Sequence, residues 1–99
     1  MMTLDRPITA TDIQLVLARL MPLAMSDTGQ SRIVANFLLS WWNSADCGGF
    51  AISDLFCLDL ALSADLAALF SYLGQRPGAI YIDTFGYRDH MAKLAEKWR

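Results

Sequence analysis

The chain has 99 residues and a mass of 11.0 kDa, room for one core, and folding at this size hides roughly 60–70% of the unfolded surface. Hydrophobic residues are 55% of the sequence and charged residues 18%, against typical shares of about 45–50% and 25%, which excludes disorder, a collagen-like chain and a charged coiled coil. Ten acidic against eight basic residues give a formal net charge of −2 and no basic field for phosphates, so direct nucleic-acid binding is not expected.

The punctuation divides the chain into apolar segments of helical length, with no internal repeat or linker. Residues 1–10 are read as an N-terminal arm. Thr11 followed by Gln14 resembles a capping box, and Ile13, Val16, Leu17 and Leu20 recur at helical spacing, predicting a first helix from Asp12 to Met21 that Pro22 ends or kinks. Asp27 or Thr28 can then accept from the free N–H groups of a second helix, Gln30 to Asn43, whose core stripe is Ile33, Val34, Phe37, Leu38 and Trp41. Beyond Gly48-Gly49, Ser53 or Asp54 can cap a short turn through Leu58, and Asp59 a helix from Leu60 to Leu73 that buries Leu62, Leu66, Leu69, Phe70 and Leu73. Pro77-Gly78 marks a turn. Ala79 to Ile82 alone has strand character, but one short strand without a partner is unstable, so it is read as an extended packing segment. Thr84 to Tyr87 introduces a last helix with Tyr87, Met91, Leu94 and Trp98 on one face. The expected fold is all-α, a single domain and small bundle of four to five short helices.

Two cysteines in a chain with an adequate core do not form a disulfide scaffold. The longest run without charge, Ile33 to Ala45, has 13 residues where a membrane span needs about 20. The apolar stretch Ile13 to Met25 is broken by Arg19 and Pro22 and makes a poor secretory signal. A cytoplasmic protein with reduced thiols and no membrane contact is therefore expected.

No catalytic motif is present. His90 is the lone histidine and Glu96 the lone glutamate, a weak foundation for acid–base chemistry. Cys57, in Leu55-Phe56-Cys57-Leu58, reads as an inert core thiol, and Cys47 before Gly48-Gly49 as the more exposed of the two. Structural zinc sites bring ligands in pairs two to four residues apart, whereas these cysteines are ten apart and His90 lies thirty-three further on. Asp27 to Arg32 lacks the glycines and Lys-Ser/Thr of a phosphate loop and reads as a helix cap. No metal, no cofactor and no enzyme activity are expected.

Trp41-Trp42 is the most informative pair, because neighbours on a helix point about 100° apart and cannot share the centre of one stripe. Trp41 continues the core face. Trp42 either packs under the Asn43 to Phe50 loop or serves as an aromatic anchor in an interface. Residues 33–75 carry Asp46, Asp54, Asp59 and Asp65 and no Lys or Arg. Their field would steer the chain toward basic grooves, unless helix capping occupies them. Trp42 with Asp46, Asp54, Asp59 and Asp65 is thus the expected partner-binding set. The apolar surplus also fits a homodimer burying the Trp42 side.

The run Asp27 to Arg32 with Val34-Ala35, Phe37-Leu38-Leu39 and Trp41-Trp42-Asn43, followed by Cys47-Gly48-Gly49-Phe50, Asp54-Leu55, Asp59, Asp83-Thr84 and Gly86-Tyr87, resembles a family of short uncharacterised bacterial proteins met on plasmids, phages and integrative elements. Phe56 stands where the family pattern has tryptophan, and residues 1–25 match no part of it. The resemblance implies a mobile-element setting and brings no catalytic residues. With it, the expected function is a non-catalytic module that binds a bacterial protein complex, such as a CRISPR effector, and acts as an anti-CRISPR-like inhibitor. The alternatives are a small homodimeric adaptor or, from another class, a cysteine-dependent enzyme.

Overall fold

The computed structural model describes residues 7–98. Within them four α-helices follow in order, α1 (Ala10–Ala24), α2 (Gly29–Cys47), α3 (Leu60–Gly74) and α4 (Arg88–Trp98), with 3₁₀ turns at Ile52–Cys57 and Ile82–Phe85 and no strand among the described residues. The fold is all-α, as the helical spacing requires. α1 packs on α2 and on α3, while α2 carries α4 and the second 3₁₀ turn on its other flank. The core between them is aliphatic: Ile13, Leu17, Leu20, Val34, Leu38, Leu66, Leu69, Ile82, Met91 and Leu94 are fully buried.

The helix ends follow from side-chain caps. Thr9, in extended conformation, accepts from the Asp12 N–H while the Asp12 carboxylate accepts from the Thr9 N–H, a reciprocal capping box that starts α1 two residues before the Thr11–Gln14 pair expected for it. Of the proposed N-terminal arm, residues 1–6 lie outside the described residues, Thr9 is this cap and Ile8 packs against the core. Pro22 neither ends nor breaks α1, which continues to Ala24. It stands in the last turn, so only the end of the helix loses a backbone hydrogen bond, and the Ser26 hydroxyl takes up the Pro22 carbonyl.

Thr28 caps α2 by accepting from the Ser31 N–H, and its hydroxyl shares a 2.7 Å hydrogen bond with that of Ser31, a fully buried polar side chain. α2 extends past the expected stop at Asn43 to Cys47, with a break at Asn43 (φ −161°, ψ 79°). The Asn43 side chain accepts from the Asp46 N–H and donates to its carboxylate, so Asn43 acts as a fresh N-cap and the chain restarts one more helical turn. Gly48, at φ 87° and ψ 174°, ends it in a region of backbone space that is essentially reserved for glycine.

Asp59 caps α3 as expected, accepting from the Leu62 N–H, and its own N–H donates to the Gln30 side chain on α2. The turn before it, Ile52–Cys57, has no side-chain cap, so neither Ser53 nor Asp54 plays that part. Two expectations for the core fail. Phe70, counted on the buried face of α3, is exposed, and so is Cys57, counted as a core thiol. α3 is apolar on nearly its whole circumference, so sequence periodicity could not say which side would meet α1.

Residues 79–82 supply packing rather than a strand, with Ile80 half-buried and Ile82 fully buried. α4 is pinned at its C-terminal end: the Trp98 indole donates to the Ala24 carbonyl at 2.9 Å, and Lys97 pairs with Asp27 while lying over the Trp98 ring.

Removing the Thr28 hydroxyl strips the first turn of α2 of its cap and leaves the buried Ser31 hydroxyl without a partner. Thr28→Ala should therefore cost roughly 1–3 kcal/mol, and Ser31→Ala distinctly less, since Thr28 keeps its bond to the backbone. Urea unfolding midpoints at unchanged slope measure both.

Candidate functional site

The site is built from the two tryptophans of α2 and the segment that follows Pro77-Gly78. Trp41 and Trp42 diverge around the helix, as adjacent residues must, and both indole N–H groups reach the same stretch of chain. Trp41 donates to the Ile80 carbonyl at 2.9 Å and packs edge-on to Phe85, while Trp42 donates to the Asp83 carboxylate at 3.0 Å. Trp42 is half-buried and lines one recess with Asn43, Ser44 and Ala45 on one side and Tyr81 and Asp83 on the other.

Where α2 breaks at Asn43, its last turn and segment 81–83 border an open cleft of about 400 Å³ lined by Trp41, Trp42, Asn43, Ser44, Ala45, Tyr81 and Asp83. Tyr81 is 53% exposed and offers a ring across from Trp42. Asp46 is held on Asn43 and so stands at the rim. Aromatic faces, the Asp83 carboxylate and the absence of any basic lining residue make this a recess for a positively charged group, through cation–π contact and a charge-assisted hydrogen bond.

Of the expected set, only Trp42 lines the cleft, and Asp46 is bonded to Asn43, which lines it too. Asp54 is half-buried in the first 3₁₀ turn, and Asp59 is occupied as the α3 cap. Asp65 is paired across to α1, where Arg19 donates from Nε at 3.1 Å and from Nη2 at 2.6 Å. That hydrogen bond, and then the carboxylate's charge, raise the Arg19 pKa above its ordinary value. Of the acidic stretch without a compensating cation in sequence, Asp65 is thus compensated in space. Asp83 and Tyr81 are the residues that sequence reasoning did not assign to the site. The one available signal was Tyr81-Ile82-Asp83 following a turn, and nothing in the chain links it to Trp42 some forty residues earlier.

Elsewhere, His90 is exposed, stacks edge-on with Tyr87 and lines a second shallow recess with Ala18, Met21, Pro22 and Met25. Neither cysteine lines it. Cys57 is the exposed thiol and Cys47 the half-buried one, the reverse of the expected order. Among the described residues no three His, Cys, Asp or Glu side chains gather as a metal site, and no helix is long and apolar enough to cross a membrane.

Residues 14–99 match a family described as a family of unknown function (DUF7673), and the chain belongs to it. The match reaches back into α1, well before the run beginning at Asp27 that carries the resemblance in sequence. Neither the curated proteins nor the solved structures contain a match to the chain.

If the Trp42–Asp83 hydrogen bond holds the cleft, Trp42→Phe and Asp83→Ala are coupled. A double-mutant cycle should return an interaction of about 0.5–1.5 kcal/mol in unfolding free energy. Under limiting iodoacetamide, mass spectrometry should find Cys57 alkylated before Cys47.

Proposed function

We propose that the protein is a non-catalytic protein-binding module that receives a basic side chain of its partner in the Trp42–Tyr81–Asp83 cleft. The observation that carries this reading is the half-buried Trp42, tied by its N–H to a carboxylate and facing an exposed tyrosine in a recess without a Lys or Arg. Tryptophan and tyrosine are the residues on which binding energy concentrates, and a half-buried indole already fixed in place loses little freedom when a partner docks. Asp46 at the rim adds attraction for basic surfaces, so the acidic contribution belongs to Asp46 and Asp83 rather than to all four aspartates of the middle. His90 lines a recess to which neither cysteine contributes, and this favours binding over cysteine-dependent catalysis.

The finer form of the proposal is an inhibitor that docks on a host defence complex, such as a CRISPR effector, in a cytoplasm. It rests on the resemblance to proteins of mobile elements. The basic channels that such complexes use to hold nucleic acid are surfaces of the kind this cleft fits.

The test is a titration of ¹⁵N-labelled protein with short arginine- and lysine-containing peptides, followed by pull-down from a bacterial host. The expected result is saturable shifts at the Trp42 indole and at Asp83, weakened at least tenfold by Trp42→Ala with Asp83→Asn and unchanged by Asp65→Asn. Shifts spread evenly over the surface, or equal capture of a host complex by the double variant, would reject the cleft as the docking site.

A further inference from the structure

A different surface carries a second inference, independent of the cleft. α3 packs on α1 through Leu62, Leu66 and Leu69, yet its outward arc bears Leu60, Ala61, Ala64, Ala67, Phe70 and Gly74, with no ionisable group. A helix that is apolar all round is normally covered on every side. The first 3₁₀ turn is tied to this helix by the Ser63 hydroxyl, which donates to the Leu55 carbonyl at 3.1 Å, and Phe56 follows Leu55 in the chain. Phe56 is 90% exposed, Leu60 88%, Ile52 70% and Phe70 68%. Solitary exposed apolar residues are ordinary, but large ones this exposed along α3 and in the turn that leads into it are not.

We infer that this face is covered by a second copy of the chain, in a two-fold dimer with the two α3 helices antiparallel. Three observations select this occupant. The first is shape. The bulky residues lie toward the ends of the arc and the small Ala64 and Ala67 in its middle, so a copy turned end for end crosses closely at the alanines. Ser63 and Phe70 lie seven residues apart, on the same side of α3. A two-fold axis lying between the helices therefore sets Phe70 of each copy on the Phe56–Leu60 edge of the other, as an isologous contact requires.

The second is charge. Self-association brings like charges together, and the charge near this face is small: Asp65 on the flank of the helix is paired with Arg19, and Asp59 at its start is held as the α3 cap by the Leu62 N–H. The same lack of Lys and Arg between residues 33 and 75 disfavours an anionic membrane surface, which binds helices through a basic polar face. The third is area. At these exposures Phe56, Leu60 and Phe70 present on the order of 450–500 Å² per chain, so two copies with their alanines can bring together up to roughly 1,200 Å², the area at which stable specific interfaces begin.

The experiment is sedimentation of the full chain from about 100 μM downward, with thermal unfolding at each concentration. The expected mass at the high end is twice 11.0 kDa, and the melting temperature should rise with concentration, as it does whenever folding is linked to association. Ala64→Glu and Phe70→Ser each change a side chain that faces solvent in the single chain, and should raise the dissociation constant at least tenfold with the helical circular-dichroism signal retained. Trp42→Ala should leave the dimer intact, which separates this inference from the cleft. A wild-type monomer with a concentration-independent melting temperature would overturn the proposal. So would a dimer untouched by both α3 substitutions, or a monomer that binds anionic vesicles through Phe56 and Phe70.

Discussion

The architecture hangs on a pair of indole N–H groups. Trp41 and Trp42 leave α2 in different directions, yet they close on one segment, Trp41 on the Ile80 carbonyl and Trp42 on the Asp83 carboxylate. Without that fork, the chain after Pro77-Gly78 would run over the bundle with a backbone carbonyl unpaired at the core edge and Ile82 and Phe85 free to leave it. With it, the second 3₁₀ turn is fixed on α2, Gly86 ends that turn in the left-handed conformation, and the Tyr87 carbonyl accepts the first bond of α4. Trp98 repeats the device at the far end, on the Ala24 carbonyl. Each tryptophan brings a large apolar ring and one donor that must be satisfied when buried, so each specifies direction as well as adhesion.

The same fork creates the cleft. The Asn43–Asp46 exchange restarts the helix beside it, and Trp42 is half-buried at its edge. In the proposed function, structural and binding roles would coincide here, since the carboxylate that orients the indole is also the group that would meet a cation.

Charge is distributed by the fold rather than by the order of residues. Along the chain the middle is acidic. In space, Asp65 is neutralised by Arg19, Asp59 is spent on a helix start and Asp27, outside that stretch, is paired with Lys97. What remains near the cleft is a small, local acidity. Apolar surface is distributed with the same disregard for sequence position: the excess over a small core's capacity collects on α3 and the turn before it, because α3 meets the bundle mainly through α1 and nothing in the described chain covers its outer side.

The sequence by itself determined the elements whose causes are local. The all-α class, the Asp59 cap of α3, the stripe of Val34, Leu38 and Trp41 on α2 and the face of Met91 and Leu94 on α4 follow from 3.6-residue spacing and from side chains that cap within three residues. Where two local solutions competed, as between Thr9 with Asp12 and Thr11 with Gln14, periodicity gave no means of choosing, and the pair able to satisfy two N–H groups reciprocally prevailed. Only the tertiary structure decided the rest. α3 offers an apolar residue in almost every direction, so the burial of Leu66 and the exposure of Phe70 depended on where α1 lay. Cys57 followed the same turn outward. The cleft joins Trp42 to Tyr81 and Asp83 across some forty residues, and Arg19 meets Asp65 across a similar distance. Such contacts leave no periodic trace in the chain, because their geometry is set by how whole helices pack and not by the spacing of residues within any one of them.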